Sequence, residues 1–306
     1  VGGIANNSGG ALVKRGPAYT EFSLYAQVDK KGKLHLVDHL GINGLGETPE
    51  EILSNVQEGN INPINIQYDI GMASDHEYID RVRNIGSDVP ARYNADKRRL
   101  FEASGCAGKL GVFAVRTDTY AMPKKEQVFY LGTNNPKKLS QLRRDILVNF
   151  ENLPEMAEYL HRSIFKMTET YGKDTFLFVN YLGVKKIPQF FAIKSKIENL
   201  LKQLPLLPDS LPDKILFYLS KVFPQHLPKR LLEFSDKYEH HLILKMSDKG
   251  IIEARDYLKK HWSKEDNSNF LVCTSDEGDK ALLHRFAAGA AAGRYQTIHS
   301  NKVEGI

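Results

Sequence analysis

The chain has 306 residues, enough for about two domains of ordinary size. Hydrophobic residues make up 42% of it and charged residues 26%, which are the proportions of a folded globular protein and exclude a globally disordered chain. A net charge of +5 is too small to indicate nucleic acid as a partner. The sequence has no apolar run of about 18 residues, so we expect no membrane-spanning helix.

We expect the chain to be part of a longer protein, because it begins at Val1 without Met or a signal peptide and stops at Ile306 without a terminating element. Its two cysteines, Cys106 and Cys273, lie far apart in apolar or glycine-rich surroundings. That context favours two buried thiols over a disulfide.

The first predicted structure is a β-hairpin that follows a segment rich in Gly, Asn and Ser (residues 1–16). Apolar and polar residues alternate over 22–28 and again over 33–37. The turn between them ends in Gly32, which adopts positive φ without a Cβ clash.

Residues 40–100 form a polar excursion in which we expect only short helices. One of them starts at Thr48-Pro49, with Thr as N-cap and Pro at the first helical position. The excursion ends in an apolar run at 110–116, which predicts a buried strand.

Strands and helices alternate from about residue 120, which predicts an α+β domain with a mostly antiparallel, roughly ferredoxin-like sheet. The predicted strands are 127–132, 175–181, 240–245 and 270–274. The predicted helices are 136–150, 153–171, 250–262 and 276–292, the last with a capping-box spacing between Thr274 and Glu277.

Residues 185–230 hold the positive excess of the whole chain. Nine Lys or Arg and three acidic residues give this segment a charge of +6, whereas the rest of the chain sums to −1. Six of the 13 prolines also lie here, so we expect only short helices: one over 194–204, one starting near Ser210, and one after Pro228.

These short, basic and one-sidedly apolar helices favour binding at a membrane interface. A Lys or Arg near an anionic leaflet contributes about 1 kcal/mol, and each large apolar side chain that becomes buried adds roughly 1.5–3 kcal/mol. A helical lid that packs its apolar face on the protein body remains the alternative. Nucleic acid is disfavoured, because the basic residues alternate with Leu and Pro rather than with stacking aromatic residues.

Two small-residue segments, Gly2–Gly10 and Ser104–Val112, permit close approach of the main chain to a ligand. Neither is a P-loop or a G-x-G-x-x-G motif. The first resembles the second FAD-contacting loop of vanillyl-alcohol-oxidase-type flavoenzymes, and the second is similar to a glycine-rich turn of the same family. Cys106, Ala107 and Lys109 depart from that turn's usual residues.

Further segments resemble one branch of that family, the quinone-dependent D-lactate dehydrogenases of bacterial inner membranes. They are residues 15–21, 90–96, 237–241 and 284–288. This resemblance extends over essentially the whole chain and is lowest in 185–230.

The resemblance implies an α+β architecture in which part of a vanillyl-alcohol-oxidase-type FAD-binding domain precedes a ferredoxin-like cap domain with a helical, basic membrane-binding insertion. The implied segments are FAD-binding domain 1–118, cap 119–160 and 238–275, membrane-binding insertion 161–237, membrane-binding helix 276–299, and the start of a further cap segment at 300–306. A first FAD loop and a C-terminal return segment are expected outside the chain.

The resemblance also implies a cofactor site, in which Gly9 and Val112 contact FAD. The implied close neighbours are Gly3, Ser8, Gly10 and Gly111. No residue pattern indicates a metal site.

The implied reaction is oxidation of D-lactate to pyruvate, with electrons passed through FAD to membrane quinone. The implied location is the cytoplasmic face of the bacterial inner membrane, on an anionic phospholipid surface. Two alternatives remain open: a non-catalytic peripheral membrane-binding protein, and a flavin dehydrogenase of another D-2-hydroxy acid.

Two adjacent histidines, His240 and His241, are the candidate substrate residues, because the implied reaction needs a proton acceptor near neutral pH. Related 2-hydroxy-acid flavoenzymes carry a site histidine in a similar place. Only one of the two can face the flavin on an alternating strand, and a structural role for both is the alternative. Arg285 and Arg294 could bind the lactate carboxylate, although a surface role is favoured.

Overall fold

The computed structural model describes residues 1–201, 211–262 and 267–299. These residues form two compact units. The first comprises Val1–Lys124 and Arg143–Glu155, and the second comprises Lys125–Leu142 and the described residues from Met156 onward.

A three-stranded antiparallel sheet organises the first unit, with strand order β2-β1-β3. The elements are α1 (Gly2–Ala5), β1 (Ser23–Val28), β2 (Leu34–Asp38), α2 (Pro49–Glu58), α3 (Tyr78–Arg83) and β3 (Gly111–Val115). Leu24, Leu40 and Leu45 form a core cluster on which partly buried side chains of α2 pack. The long connection between β2 and β3 therefore closes over the sheet rather than extending away from it.

Local signals correctly predicted the hairpin and the helix at Thr48. The Asp29 carboxylate accepts hydrogen bonds from the backbone N–H groups of Lys31 and Lys33, and Gly32 has a φ of +80°. The Thr48 hydroxyl accepts a bond from the Glu51 N–H in a complete capping box. The strand predicted at 110–116 is present as β3, but the prediction that it is buried is wrong, because β3 is an edge strand with Phe113 exposed.

A four-stranded antiparallel sheet organises the second unit, with strand order β5-β6-β4-β7. Its strands are β4 (Glu126–Thr133), β5 (Met156–His161), β6 (His240–Ser247) and β7 (Ser268–Val272). Its helices are α4 (Pro136–Asn149, which belongs to the first unit from Arg143 onward), α5 (Arg162–Tyr171), α6 (Lys173–Leu182), α7 (Ile187–Leu201), α8 (Leu211–Ser220), α9 (Lys229–Lys237), α10 (Gly250–His261) and α11 (Ser275–Ile298).

The main core of the second unit lies between one face of this sheet and helices α5, α6, α9 and α11. Alternate strand residues such as Tyr130 and Ile243 point into it, because successive side chains of a strand lie on opposite faces. The helices contribute Phe165, Phe176 and Leu231. On the sheet's other face Phe129 contacts Phe270, and α10 packs on β6.

Two predicted elements of the second unit are wrong. Residues 153–171 form a strand and a helix, β5 and α5, because 156–161 pair with β6. Residues 175–181 lie in helix α6 rather than a strand, since Phe176 and Val179 are buried at helical spacing while their neighbours are not. A short apolar run does not distinguish these alternatives by itself.

The other elements predicted from residue 127 onward, outside the basic segment, are confirmed within two residues at each end, except that α11 extends six residues past the predicted end at 292. In the basic segment, α8 and α9 begin where predicted, whereas α7 begins at Ile187, seven residues before the predicted start at 194. Residues 202–204 and Ser210 lie outside the described residues. None of the helices in the described part of the chain combines the length and apolar character that crossing a bilayer requires.

Candidate functional site

The N-terminal glycine-rich segment folds back on itself through its own main chain. After the single turn of α1, the N–H of Ser8 donates to the carbonyl of Gly3 at 2.8 Å, and the N–H of Ala18 donates to the carbonyl of Ser8 at 2.8 Å. Gly9 forms an isolated antiparallel bridge with Pro17. The segment is therefore a compact loop with its glycine backbone at the surface.

The two glycine-rich segments meet in the first unit. The N–H of Gly105 donates to the carbonyl of Ile4 at 3.0 Å, and the N–H of Ala107 donates to the carbonyl of Ala5 at 2.8 Å. Gly105 has a φ of +75°, and a Cβ there would lie 2.6 Å from the Asn7 amide nitrogen. Asn7 is buried and donates to the Arg99 carbonyl at 2.6 Å, so a larger residue at 105 would disrupt a joint between the segments.

The six residues implied at the cofactor lie on this joined region and on the strand that leaves it. Gly111 and Val112 begin β3, opposite Ala26 and Tyr25 of β1. The glycines are exposed, while Ser8 and Val112 are half-buried; the six are Gly3, Ser8, Gly9, Gly10, Gly111 and Val112. The structure thus leaves main-chain atoms accessible at each glycine.

Arg92 is a candidate that sequence reasoning did not single out. Its guanidinium lies directly against Gly9, so that a Cβ at Gly9 would overlap it. It donates to the carbonyls of Gly16 and Gly10, at 3.3 Å each. Arg92 belongs to the segment 90–96, and its family resemblance was the only sequence signal that pointed to it. The consequence is a positive charge beside an exposed glycine backbone, an arrangement suited to an anionic group such as a phosphate.

A buried ion-pair network lies beneath this region. Arg99 donates to Asp75 at 2.6 Å and to Glu77 at 2.7 Å, and Arg81 also pairs with Asp75. Burial by itself raises the pKa of Asp75, but hydrogen bonds and charges from Arg99 and Arg81 outweigh it and hold that pKa below its usual value. The same carboxylates raise the pKa of Arg99. The network keeps its charges at any moderate pH and therefore acts as scaffolding.

A separate cleft of about 520 Å³ opens elsewhere in the first unit. Phe22, Asp38, His39 and Gln67 are among its lining residues, and Arg116 beside it donates to the carbonyl of Gln67 while lying 3.6 Å from the centre of the Phe22 ring. None of the six residues implied at the cofactor lines this cleft.

The two candidate histidines lie on opposite faces of β6. His241 is fully buried among aromatic rings that include Tyr130 and Phe165, and burial lowers its pKa to about 4. His240 is half-buried on the other face, where its Nδ1 lies 2.8 Å from the Tyr159 hydroxyl. Its ring also meets that of His161 edge-on, with 5.4 Å between centres. Only His240 is therefore accessible from outside the core.

The two arginines of α11 are both engaged in ion pairs. Arg294 is buried and contacts Asp174 of α6 at 2.7 Å, whereas Arg285 is partly exposed and contacts Glu158 of β5 at 2.9 Å. The favoured surface role for Arg294 is wrong, because the apolar stripe of α11 carries it into the core.

Comparison with known families finds a match over much of the chain. A family model described as "D-lactate dehydrogenase, membrane binding" matches residues 128–306, more than half of the chain. The chain belongs to this family. The region that matches the D-lactate dehydrogenase membrane-binding family begins in β4 and includes the rest of the second unit, with helices α7, α8 and α9 of the basic segment.

Full-length relatives of the family also match the first unit. The chain is 52% identical to the quinone-dependent D-lactate dehydrogenase of Escherichia coli (strain K12), 50% identical to that of Haemophilus influenzae and 39% identical to that of Corynebacterium glutamicum. Each match covers the whole chain, and the chain spans about half the length of each relative (53%, 54% and 53%). The glycine-rich segments therefore lie inside the shared region.

The family's membrane-binding description coincides with an exposed apolar and basic surface in the second unit. We define the outer helical surface as the exposed apolar residues Tyr181, Leu182, Ile193, Ile197, Ile215, Tyr218, Leu219, Val222 and Phe223 with the exposed lysines Lys185, Lys186, Lys196 and Lys221. The side chain of Lys194 and residues 202–210 of the basic segment lie outside the described residues.

Proposed function

We propose that the protein containing this chain is a quinone-dependent D-lactate dehydrogenase that oxidises D-lactate to pyruvate and passes the electrons through FAD to a membrane quinone. The observation that carries the proposal is the identity of 52% and 50% to two such dehydrogenases over every residue of the chain. The hydrogen-bonded joint between the two glycine-rich segments gives the cofactor assignment independent support.

FAD fits the chemistry of the first unit. Gly9 and Val112 would contact it, with Gly3, Ser8, Gly10 and Gly111 close by. The exposed glycine backbone permits close approach, and Arg92 beside Gly9 offers a positive charge to a phosphate. Bound FAD supplies the hydride acceptor, while the protein supplies binding and orientation.

For the substrate we place His240 rather than His241 near D-lactate. His240 is accessible, and the Tyr159 hydroxyl at 2.8 Å from its Nδ1 holds the ring so that Nε2 is the nitrogen available to exchange a proton with a substrate hydroxyl. His241, with no exposed surface and a pKa of about 4, is a neutral core residue.

We propose that the four-stranded sheet is the ferredoxin-like cap and that residues 1–118 are part of a vanillyl-alcohol-oxidase-type FAD-binding domain. The cap assignment is supported by the order β4-α4-β5, a helical insertion, and β6-α10-β7, which is a β-α-β-β-α-β sequence with antiparallel pairing throughout. The insertion, residues 161–237, and the helix at 276–299 would form the membrane-binding module.

We propose further that the outer helical surface docks on anionic phospholipid at the cytoplasmic face of the bacterial inner membrane. Its lysines would attract the leaflet, each contributing about 1 kcal/mol near an anionic surface. Its exposed apolar side chains would enter the headgroup boundary, a peripheral rather than a spanning arrangement.

A flavin spectrum and D-lactate-dependent quinone reduction by the intact protein test the enzyme assignment. We expect a yellow protein whose flavin is bleached by D-lactate, and we expect Gly9→Val to lose flavin because the new side chain would displace the Arg92 guanidinium and cover the glycine backbone. Gly86→Val, at an exposed glycine of the first unit whose Cβ would meet nothing within 4 Å, is the control for substitution away from the site. A colourless protein that binds membranes would establish the non-catalytic alternative, and bleaching only by another D-2-hydroxy acid would change the substrate.

Sedimentation with vesicles tests the docking proposal. Charge reversal of Lys185, Lys186 and Lys221 to Glu should weaken binding to vesicles that contain phosphatidylglycerol by more than tenfold, since each reversal replaces an attraction of about 1 kcal/mol by a repulsion. Reversal of three exposed hairpin lysines, Lys30, Lys31 and Lys33, is the matched control for net charge. Equal loss in both triple variants would show that overall charge, not this surface, determines binding.

A further inference from the structure

Three buried histidines lie between the four-stranded sheet and the helices that cover it. They are His241 on β6, His284 on α11 and His226 in the connection between α8 and α9, with exposed fractions of 0%, 1% and 8%. Phe165 of α5 links two of them, with its ring centre 4.3 Å from His284 and 6.1 Å from His241. The ring centres of His226 and His284 are 6.2 Å apart.

Five of the six ring nitrogens make no hydrogen bond within the described part of the chain. The exception is Nε2 of His284, 3.1 Å from the Phe165 carbonyl. Neither nitrogen of His241 has a bond of ordinary geometry, and although the main chain of Tyr238 favours the protonated form, burial outweighs that effect and lowers the pKa. Neutral imidazole tolerates such surroundings far better than imidazolium does, because burial of an unpaired charge costs much more than burial of a neutral polar group.

The charged groups around the cluster would not offset the positive charge of a protonated imidazole. Those whose fields reach the imidazoles are basic or neutral: Arg162, Lys166 and Lys173 on α5 and α6, and His161 and His240 on β5 and β6. The acidic side chains of the covering helices that are at least partly buried have cationic partners, in the pairs Glu169–Lys166, Asp174–Arg294 and Glu277–Arg230. The hydroxyl of Tyr130 and the thiol of Cys273 are neutral, since burial raises the pKa of both.

We propose that His226, His241 and His284 form an acid-sensitive latch: helices α5, α6, α9 and α11 stay packed on the four-stranded sheet while the imidazoles are neutral, and they are released when the imidazoles take up protons. The latch does not depend on catalysis. Of its helices, α6 carries Tyr181 and Leu182 of the outer helical surface, and α5, α6 and α11 contact α8, which carries more of that surface.

The sign of the effect follows from proton linkage. Burial lowers the pKa of His226 and His241 to about 4 and that of His284 to about 3, whereas an exposed histidine titrates near 6.5. The closed form is therefore favoured above pH 6.5, and that advantage is lost progressively as the pH falls toward 4. Three such groups raise the opening equilibrium about 30-fold between pH 7 and pH 6, and roughly 10⁴-fold by pH 5.

Native-state hydrogen exchange of the intact protein between pH 7.5 and 5, corrected for the intrinsic pH dependence of exchange, tests the latch. Amides of α5, α9 and α11 should show the 30-fold rise in opening between pH 7 and pH 6, while β1 and β2 of the first unit should not. Strands β4 and β6 should stay protected at the pH where the helices first open, because the sheet keeps its own hydrogen bonds. Equal opening of strands and helices at every pH would overturn the proposal in favour of global acid unfolding.

Substitution separates the latch from other titrations. The ring nitrogens of His226 and His241 have no hydrogen-bond partner among the described residues, so replacement by Phe keeps a ring at each position and removes only the site that takes up a proton. The double variant His226→Phe, His241→Phe should reduce the rise in the opening equilibrium between pH 7 and pH 6 from about 30-fold to about threefold. His261→Phe, which removes an exposed histidine of α10 on the sheet's other face, should leave that pH slope unchanged. An unchanged slope in the double variant would reject the latch, and if that variant fails to fold, pH-independent opening of the wild-type helices would reject it equally.

Discussion

Helix α11 is tied to its neighbours by two ion pairs that differ in burial, and we predict that they differ sharply in their contribution to stability. In the first, Arg294 and Asp174 are 7% and 10% exposed, with 2.7 Å between the charged atoms. In the second, Arg285 and Glu158 are 40% and 16% exposed at 2.9 Å. Arg294→Met keeps most of the aliphatic length and removes the charge, and Arg285→Met makes the same change on the same helix.

Arg294→Met should lower the free energy of unfolding of the second unit by about 3–5 kcal/mol, because the Asp174 carboxylate then stays buried without its counter-charge. Arg285→Met should cost less than about 1 kcal/mol, since water screens a half-exposed pair and solvates the remaining carboxylate. Adding Asp174→Leu to Arg294→Met should recover most of the loss, because replacement of both buried charges by apolar groups is often close to neutral.

The buried thiol of Cys273 provides a local probe for this comparison. It is 5% exposed between β7 and α11, so its alkylation in a urea titration, followed by peptide mass spectrometry, reports opening of this core. Equal urea midpoints for Arg294→Met and Arg285→Met would refute the burial argument. An increase in the KM for D-lactate without any change in midpoint would instead assign Arg294 to substrate binding.

Two further predictions concern glycines and the buried ion-pair network. Gly289→Ala in α11 should stabilise the protein by about 0.8 kcal/mol, because the new Cβ meets nothing within 4 Å and Ala is the better helix former. Gly278→Ala on the same helix should destabilise the protein, because it places a Cβ 2.9 Å from Val128. Thermal unfolding of the two variants distinguishes these outcomes. Asp75→Asn should cost about 3–5 kcal/mol in the first unit by leaving Arg99 without one partner. Because the pKa of Asp75 lies below its usual 3.8, its stabilisation is present above that pH and is lost as the pH falls further, so acid titration of the variant should lack that phase.

Elements with local signals could be predicted from the sequence. The caps at Thr48 and Thr274 each combine a side-chain acceptor with a Glu three residues on, and both form complete capping boxes. The hairpin turn at Asp29–Gly32 likewise depends on adjacent residues alone. Such features need no information from distant parts of the chain.

Elements determined by distant partners could not be predicted in the same way. Residues 156–161 show no clear alternation, and they form a strand because β6, about 80 residues later, offers a free edge. The contact between Arg92 and Gly9 spans a similar distance along the chain, so only the family resemblance pointed to it. Alternation did predict that His240 and His241 face opposite sides, but the helices packed on one face of the sheet decided which side is buried.

The lid and the membrane interpretations of the basic segment are compatible, because each accounts for a different side of α8. A lid needs one apolar face, and α8 has one: Phe217 is buried and its ring lies nearly parallel to that of Tyr171, with 5.1 Å between centres. The helix nevertheless carries Ile215, Tyr218 and Leu219 on its exposed side, and Val222 beyond its end is 82% exposed. A helix that is apolar on both sides is unusual where one side faces water. Packing on the protein body therefore accounts for the inner face only, and the outer face is what the proposed bilayer contact would use.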